Sequence, residues 1–340
     1  MRTSSLFLAS ACGTSAYTLV SLDSLPSTLH DITSRTISNL DPRNLLSARK
    51  TPDCPAIWRT ISADLTKSFL ANGECTDLAR AAIRYAFHDA GTFSLKLPTY
   101  APASGGADGS LLLVDSEIQR PENNGLQAYN DFIKAKYSTY KSSGVGAADL
   151  IQFAGNHAVV TCPGGPTVKT LVGRGDSTTA SPLNVMPPGF GAGSDHDSLL
   201  QLFQDKGFSA VDLAALIGAH TTSTNIAEAQ IPVGAPQDST PGRWDVKYYA
   251  ETYAPPAGVS RFASDINLSD PTKAVGKEFQ GFVNNQGKWT GKFADAMFRL
   301  SVLGIPPATY KNFADCTAAL PKGTSAKRDI RSAPINDRAR

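Results

Sequence analysis

Along residues 56–284 apolar side chains recur every three to four positions in segment after segment, and almost nowhere do they alternate. That is the period of an α-helix with one buried face; a half-buried strand repeats every two residues. The spacing predicts helices over Ala56–Leu70, Thr76–Ala90, Leu126–Tyr140, Ala147–Val160, Ser198–Gln204, Ser209–His220 and Lys273–Asn284, and so a mainly α fold. Thr76 or Asp77 can cap the second of these, which Gly91 ends, and Ser209 with Asp212 has the form of a capping box. Gly- and Pro-rich connectors separate them at Ala101–Gly109, Cys162–Pro166 and Ser181–Gly193. The last falls near the middle of the folded part and predicts two helical lobes, residues 51–185 and 186–321.

No apolar run approaches the ~20 residues that span a bilayer, so no membrane partner is expected. Arg2 followed by a mildly apolar stretch with small residues reads as a signal peptide over residues 1–20, and the polar segment 21–50 as a pro-segment or linker. Setting these aside, and the basic tail 322–340 as well, leaves 21 basic and 25 acidic residues, hidden by a whole-chain charge of +2. A nucleic-acid surface concentrates Lys and Arg in the folded part, which this balance disfavours. Of five cysteines, Cys54, Cys75, Cys162 and Cys316 remain after residue 50. Four suit two disulfides and a secreted protein, the spacing leaves all three pairings open, and no Cys-x-x-Cys motif is present.

Two places carry chemistry. In TDLARAAIRYAFHDAG, Arg84 and His88 stand four residues apart and share a helix face. An imidazole there can move a proton between two oxygens while a guanidinium stabilises charge on the departing one. In LIGAHTTST, His220 ends a mostly apolar helix, where a neutral imidazole can ligate haem iron. Taken singly, each has a plainer reading: an Arg and a His at the edge of the core, or a core histidine bonded to a carbonyl.

Together these segments resemble the plant and fungal haem peroxidases, and the chain is similar to the secreted fungal (class II) group that includes lignin and manganese peroxidases. RYAFHDA resembles the distal motif and IGAHT the proximal one, with GGADGSLLL, FAGNH, CPGGP, QDSTPGRWD and FVNNQ in matching order between Cys54 and Cys316. The resemblance implies one haem b with His220 as axial ligand, His88 as distal acid/base, Arg84 as its electrostatic partner and Phe87 as pocket wall. It implies that Asn123 orients His88 and Glu117 anchors Asn123, while Asp265 accepts the outer proton of His220. Two calcium ions are implied, one at Asp89, Gly106, Asp108 and Ser110, the other at Thr221, Asp238, Thr240, Arg243 and Asp245; Gly106 and Arg243 can offer only backbone carbonyls. It also implies disulfides Cys54–Cys316 and Cys75–Cys162, two fewer than relatives commonly carry. The expected enzyme is a secreted monomer that reduces hydrogen peroxide with small aromatic reductants. Two other readings are an intracellular scavenger of the cytochrome c or ascorbate type, which the calcium motifs and cysteines disfavour, and a secreted haem-binding protein with little catalysis.

The pattern departs at the electron donor. The three carboxylate positions of manganese-oxidising relatives are Asp77, Ala81 and Ile226, and one carboxylate cannot select a divalent metal. The surface tryptophan of lignin peroxidases falls at Ala215, and the aromatic residue beside the proximal histidine at Gln237. By elimination phenols, aromatic amines or dyes would react at the haem edge. Trp58, Trp244 and Trp289 are read as core residues before relays. Asn267-Leu268-Ser269 is a glycosylation sequon close enough to Asp265 for burial to leave it unmodified.

Overall fold

The computed structural model describes residues 52–97, 105–187, 194–226 and 228–323. The expected signal peptide, pro-segment and nearly all of the basic tail lie outside them. Among the described residues ten α-helices of more than one turn carry the fold: α1 (Ile57–Phe69), α2 (Asp77–Ala90), α3 (Gln127–Tyr140), α4 (Ala147–Thr161), α5 (His196–Gln204), α6 (Ala210–Ile217), α7 (Lys247–Tyr253), α8 (Ala263–Leu268), α9 (Ala274–Gln280) and α10 (Gln286–Leu300). The strands among the described residues are four two-residue pieces in two antiparallel pairs, β1 (Leu70–Ala71) with β2 (Glu74–Cys75) and β3 (Leu171–Val172) with β4 (Ala314–Asp315). No described helix is long and apolar enough to cross a membrane.

The helical period was legible where the buried face is continuous. Helix α2 starts where Thr76 Oγ1 accepts from the Ala79 amide, and α6 starts at the Ser209–Asp212 capping box. One expected helix ends differently. Ser209–His220 is α-helical only to Ile217, and Gly218–Thr222 tightens into a 3₁₀ turn that bears His220. A Cβ on Gly218 would lie 2.1 Å from the Tyr249 hydroxyl and 2.5 Å from Trp289 Nε1, so this turn is pressed against α7 and α10 where only glycine fits. The segment expected as Lys273–Asn284 is α-helical over Ala274–Gln280 alone.

Helices α7, α8 and α10 escape the sequence reading. In α10 the buried face is regular, Trp289, Phe293, Ala296, Met297 and Leu300. Gly287 and Gly291 interrupt its pattern, yet a side chain at either would meet open space, so they lower helix propensity without any packing reason. Tertiary burial of the aromatic face outweighs them.

One buried cluster runs through the whole helical assembly. In its first half α2 lies along α4, and the approach is close: a Cβ on Gly155 would come within 2.5 Å of the Ala86 methyl. In its second half α6 packs on α9 and α10. The end of the chain returns to the first half: Ala107 N donates to the Leu303 carbonyl, Arg174 to the Ser301 carbonyl, and β4 pairs with β3. Arg174 also forms a buried ion pair with Asp149 at 2.8 Å. Cys54 is bonded to Cys316 and Cys75 to Cys162, the pairing the resemblance implied.

Candidate active site

His88 projects from the last turn of α2, buried, with Nδ1 2.8 Å from Asn123 Oδ1. Asn123 in turn donates from Nδ2 to the backbone carbonyl of Glu117 at 2.7 Å. The expected anchoring by Glu117 thus runs through its main chain. Its buried carboxylate has another task, accepting from the Ser181 amide at 2.9 Å and the Ser181 hydroxyl at 2.5 Å. Asn123 must present oxygen to His88, because its amide nitrogen is committed to a carbonyl. That fixes the proton on Nδ1 and leaves Nε2 as an acceptor. Burial first, then the Arg84 charge, depresses the imidazole to about 3, so His88 is neutral at ordinary pH.

Arg84, one turn earlier, donates to the carbonyls of Asn124 at 3.0 Å and Glu122 at 3.4 Å. Arg84 and Asn123 therefore brace the same short segment, and three of the five guanidinium N–H donors are still uncommitted if each bond uses one. Burial lowers the guanidinium to about 10, leaving it charged at neutral pH. Phe87 stacks on Phe203 of α5, centroids 5.9 Å apart and planes 5° from parallel, and meets His88 edge-on.

On the other side His220 donates from Nδ1 to Asp265 of α8 at 3.0 Å. Tyr248 and Phe262 each stand edge-on to the imidazole at 5.9 Å. Gln237 donates from Nε2 to the second oxygen of Asp265 at 3.1 Å, a contact the sequence did not announce.

The four described histidines divide cleanly. His157 has both nitrogens engaged, Nε2 with the Ser62 carbonyl and Nδ1 with Thr161 Oγ1, the core histidine of the plainer reading. His196 is likewise filled, by Asp197 and by the Val275 amide. In His88 and His220 only Nδ1 is tied, and Nε2 has no hydrogen-bond partner among the described residues. An oriented imidazole with an open Nε2 can ligate a metal or move a proton.

Beside each of them lies a group of oxygen donors. Asp89, Asp108 and Ser110 are buried together, and Asp89 Oδ1 and Asp108 Oδ2 have no partner among the described residues. Burial first, then the facing Asp108 and Glu117 charges, pushes the Asp89 carboxyl well up; Asp108 is pushed up to about 6, chiefly by burial. Gly106 occupies φ +109° and would strike the Leu303 carbonyl with any side chain. In the second group Thr221 donates to Asp238, Asp238 accepts from the Thr240 amide at 2.8 Å, and the Thr240 hydroxyl donates to Asp245 at 2.9 Å. Burial pushes Asp238 up to about 7. Arg243 points its side chain outward to Glu74. No three His, Cys, Asp or Glu side chains converge on a metal centre among the described residues. Each group instead offers two or so carboxylates with hydroxyls and carbonyls, a donor set for a hard cation.

A family model described as peroxidase matches residues 61–285. The chain belongs to the peroxidase family. It is 30% identical over 288 residues to the versatile peroxidase VPS1 of Pleurotus eryngii, covering 79% of this chain and 75% of that protein. It is 33% identical to manganese peroxidase 3 of Phlebia radiata, covering 68% of each chain, and 29% identical to ligninase LG5 of Phanerodontia chrysosporium, covering 78% and 74%. The chain is accordingly a haem peroxidase of the fungal class II kind, an oxidoreductase acting on hydrogen peroxide. In this peroxidase Asp77 is exposed and paired with Arg80, Ile226 is exposed, and Ala215 is buried with its carbonyl accepting from Trp289 Nε1 at 3.0 Å. All three described tryptophans are buried, Trp244 stacked on Trp289 at 5.2 Å, as core residues. Asn267 Nδ2, the atom a glycan would occupy, donates to the Ser194 carbonyl at 3.0 Å.

Proposed function

We propose that this peroxidase is a secreted monomer holding one haem b between segments 51–185 and 186–321, with His220 as axial ligand and His88 as acid/base. The observation that supports these roles is the division of the histidines: among the described residues only His88 and His220 pair an oriented Nδ1 with an open Nε2. The haem iron would supply the electrons that cleave the peroxide bond and recover them from the reductant. His88 Nε2 takes the proton from one peroxide oxygen and delivers it to the other, so that water leaves. Arg84, with donors to spare, stabilises the negative charge on the departing oxygen. Asn123 keeps His88 in the accepting tautomer throughout, and Phe87 closes the pocket wall above the reaction.

Two calcium ions complete the enzyme in this reading. The unpartnered oxygens of Asp89 and Asp108 fit the distal one, since a divalent cation would offset the burial, and for Asp89 the facing Asp108 charge, that leaves these carboxyls hard to ionise. The Thr221, Asp238, Thr240 and Asp245 oxygens, with the Arg243 carbonyl, fit the proximal one. Both lie one residue beyond a haem-facing histidine and would tie metal binding to the site's shape.

The reductants are small phenols, aromatic amines or dyes. Manganese is disfavoured because Ala81 and Ile226 bear no carboxylate, and direct oxidation of high-potential aromatics because Ala215 is neither aromatic nor exposed. Steady-state assays with peroxide and a simple phenol, manganese or a non-phenolic aromatic test this. Turnover of the phenol alone is expected; saturable manganese oxidation at micromolar metal would overturn the assignment.

A further inference from the structure

Gln237 occupies a place where a space-filling residue would serve the fold better. It is buried, its amide oxygen has no partner among the described residues, and leaving such an acceptor dry costs free energy that an apolar side chain avoids. What the amide does make is one bond, Nε2 to Asp265 Oδ2 at 3.1 Å. The O/N assignment is forced, because the flipped amide would set its oxygen against a carboxylate.

Asp265 is itself buried and accepts on both sides. His220 Nδ1 lies 3.0 Å from Oδ1 and 3.3 Å from Oδ2, and Ser264 Oγ is 3.4 Å from Oδ1. A donor on a carboxylate draws its charge away from every other donor it serves. We infer that Gln237 is a positioning residue that weakens the pull of Asp265 on the His220 Nδ1 proton, and thereby sets the electron donation of His220 toward the haem iron. The inference rests on His220 being the axial ligand.

The chemistry follows without any bond being made or broken. A carboxylate held only by imidazole pulls hard on the Nδ1 proton and gives the ring imidazolate character, which favours ferric over ferrous iron. Sharing the carboxylate with an amide moderates that character and raises the reduction potential.

The test uses the haem-loaded protein with Gln237→Met, which keeps length and removes the donor, and Gln237→Leu, which does so at smaller volume. Two readouts separate tuning from mere packing: the iron–histidine stretching frequency of the ferrous protein by resonance Raman, and the ferric/ferrous midpoint potential. Both variants should move the stretch to higher frequency and shift the ferric/ferrous balance about fivefold toward ferric, about 40 mV at 59 mV per tenfold. Ser264→Ala should move both less. If either variant binds haem and leaves stretch and potential at wild-type values, Gln237 is filler and the inference fails. If both variants lose haem where a wild-type histidine band is present, the side chain serves folding and the inference fails likewise. Absence of any iron–histidine band in the wild-type protein would instead sink the axial assignment of His220, a separate failure.

Discussion

The distal and proximal halves of this site use the same device, a histidine oriented through Nδ1 with acidic loops beside it, and stabilise it differently. On the distal side the histidine is carried by a long helix clamped along α4, and its orienting chain is neutral, His88 to Asn123 to a backbone carbonyl. The calcium-type group there is left internally unbalanced, with two buried carboxylate oxygens unpartnered. On the proximal side the histidine sits in a short 3₁₀ turn held by contact, and its orienting partner is a carboxylate shared with Gln237. There the acidic loop partly satisfies itself through Thr221, Thr240 and Asp245. In the proposed reading a neutral partner leaves the distal imidazole free to gain and lose a proton, whereas a charged partner would make the proximal one a standing donor. The distal frame should lean on its cation, the proximal frame on its packing.

The largest effect expected from breaking this contrast is chemical. His88→Leu should slow peroxide cleavage about a thousandfold or more, within the range of general acid–base contributions, while haem uptake stays intact. Stopped-flow mixing with peroxide reads the rate directly, and a loss under tenfold would contradict the acid/base role.

Acid should probe the distal half next. His157 of α4 is buried against α1 and depressed to about 4 by burial, so the unfolded chain binds a proton between pH 6.5 and 4 that the folded one refuses. Its contribution is fully present above about pH 6.5 and lost as pH falls toward 4, by up to about 3 kcal/mol. His157→Gln, which keeps a polar contact and cannot titrate, should flatten denaturant-measured stability across that window. An unchanged acid slope would rule His157 out as its source.

A matched glycine pair sharpens the difference in packing. Gly218→Ala and Gly155→Ala each drive a methyl into occupied space, at about 1–3 kcal/mol for overpacking. Only Gly218→Ala should also loosen haem, because that residue shapes the turn bearing His220. Equal haem affinity in the two variants, measured by titration, would show that the turn is not held by this contact.

The smallest and most discriminating effect concerns the cations. Asp108→Asn removes one of two facing distal charges, so in chelated protein it should raise thermal stability, by about 1 kcal/mol, and with calcium present lower it. Asp238→Asn should lower stability in both conditions, since its carboxylate is already an acceptor for Thr221 and Thr240. Parallel behaviour of the two variants would erase the contrast.

Much of this site was legible before any coordinates, and the reason is local. Arg84 and His88 lie one turn apart on α2, so their shared face can be counted from the sequence, whereas the part expected of His220, which sits in a 3₁₀ turn, comes from the family resemblance. What escaped depends on approach between distant segments. That Ser181 would occupy the Glu117 carboxylate, that Gln237 would reach Asp265, and that Gly218 would be wedged beneath Tyr249 and Trp289 are facts of packing across 28 to 71 residues of chain. Helix α10 was hidden for the opposite reason, two solvent-facing glycines masking a regular aromatic face.

The central claim, that one open histidine binds the haem and the other works on peroxide, is tested most directly by adding haem to His220→Ala and His88→Ala. The account predicts that His88→Ala takes up one haem with a five-coordinate spectrum, whereas His220→Ala binds it weakly until free imidazole is supplied. A His220→Ala protein that keeps the wild-type haem spectrum without imidazole would contradict it.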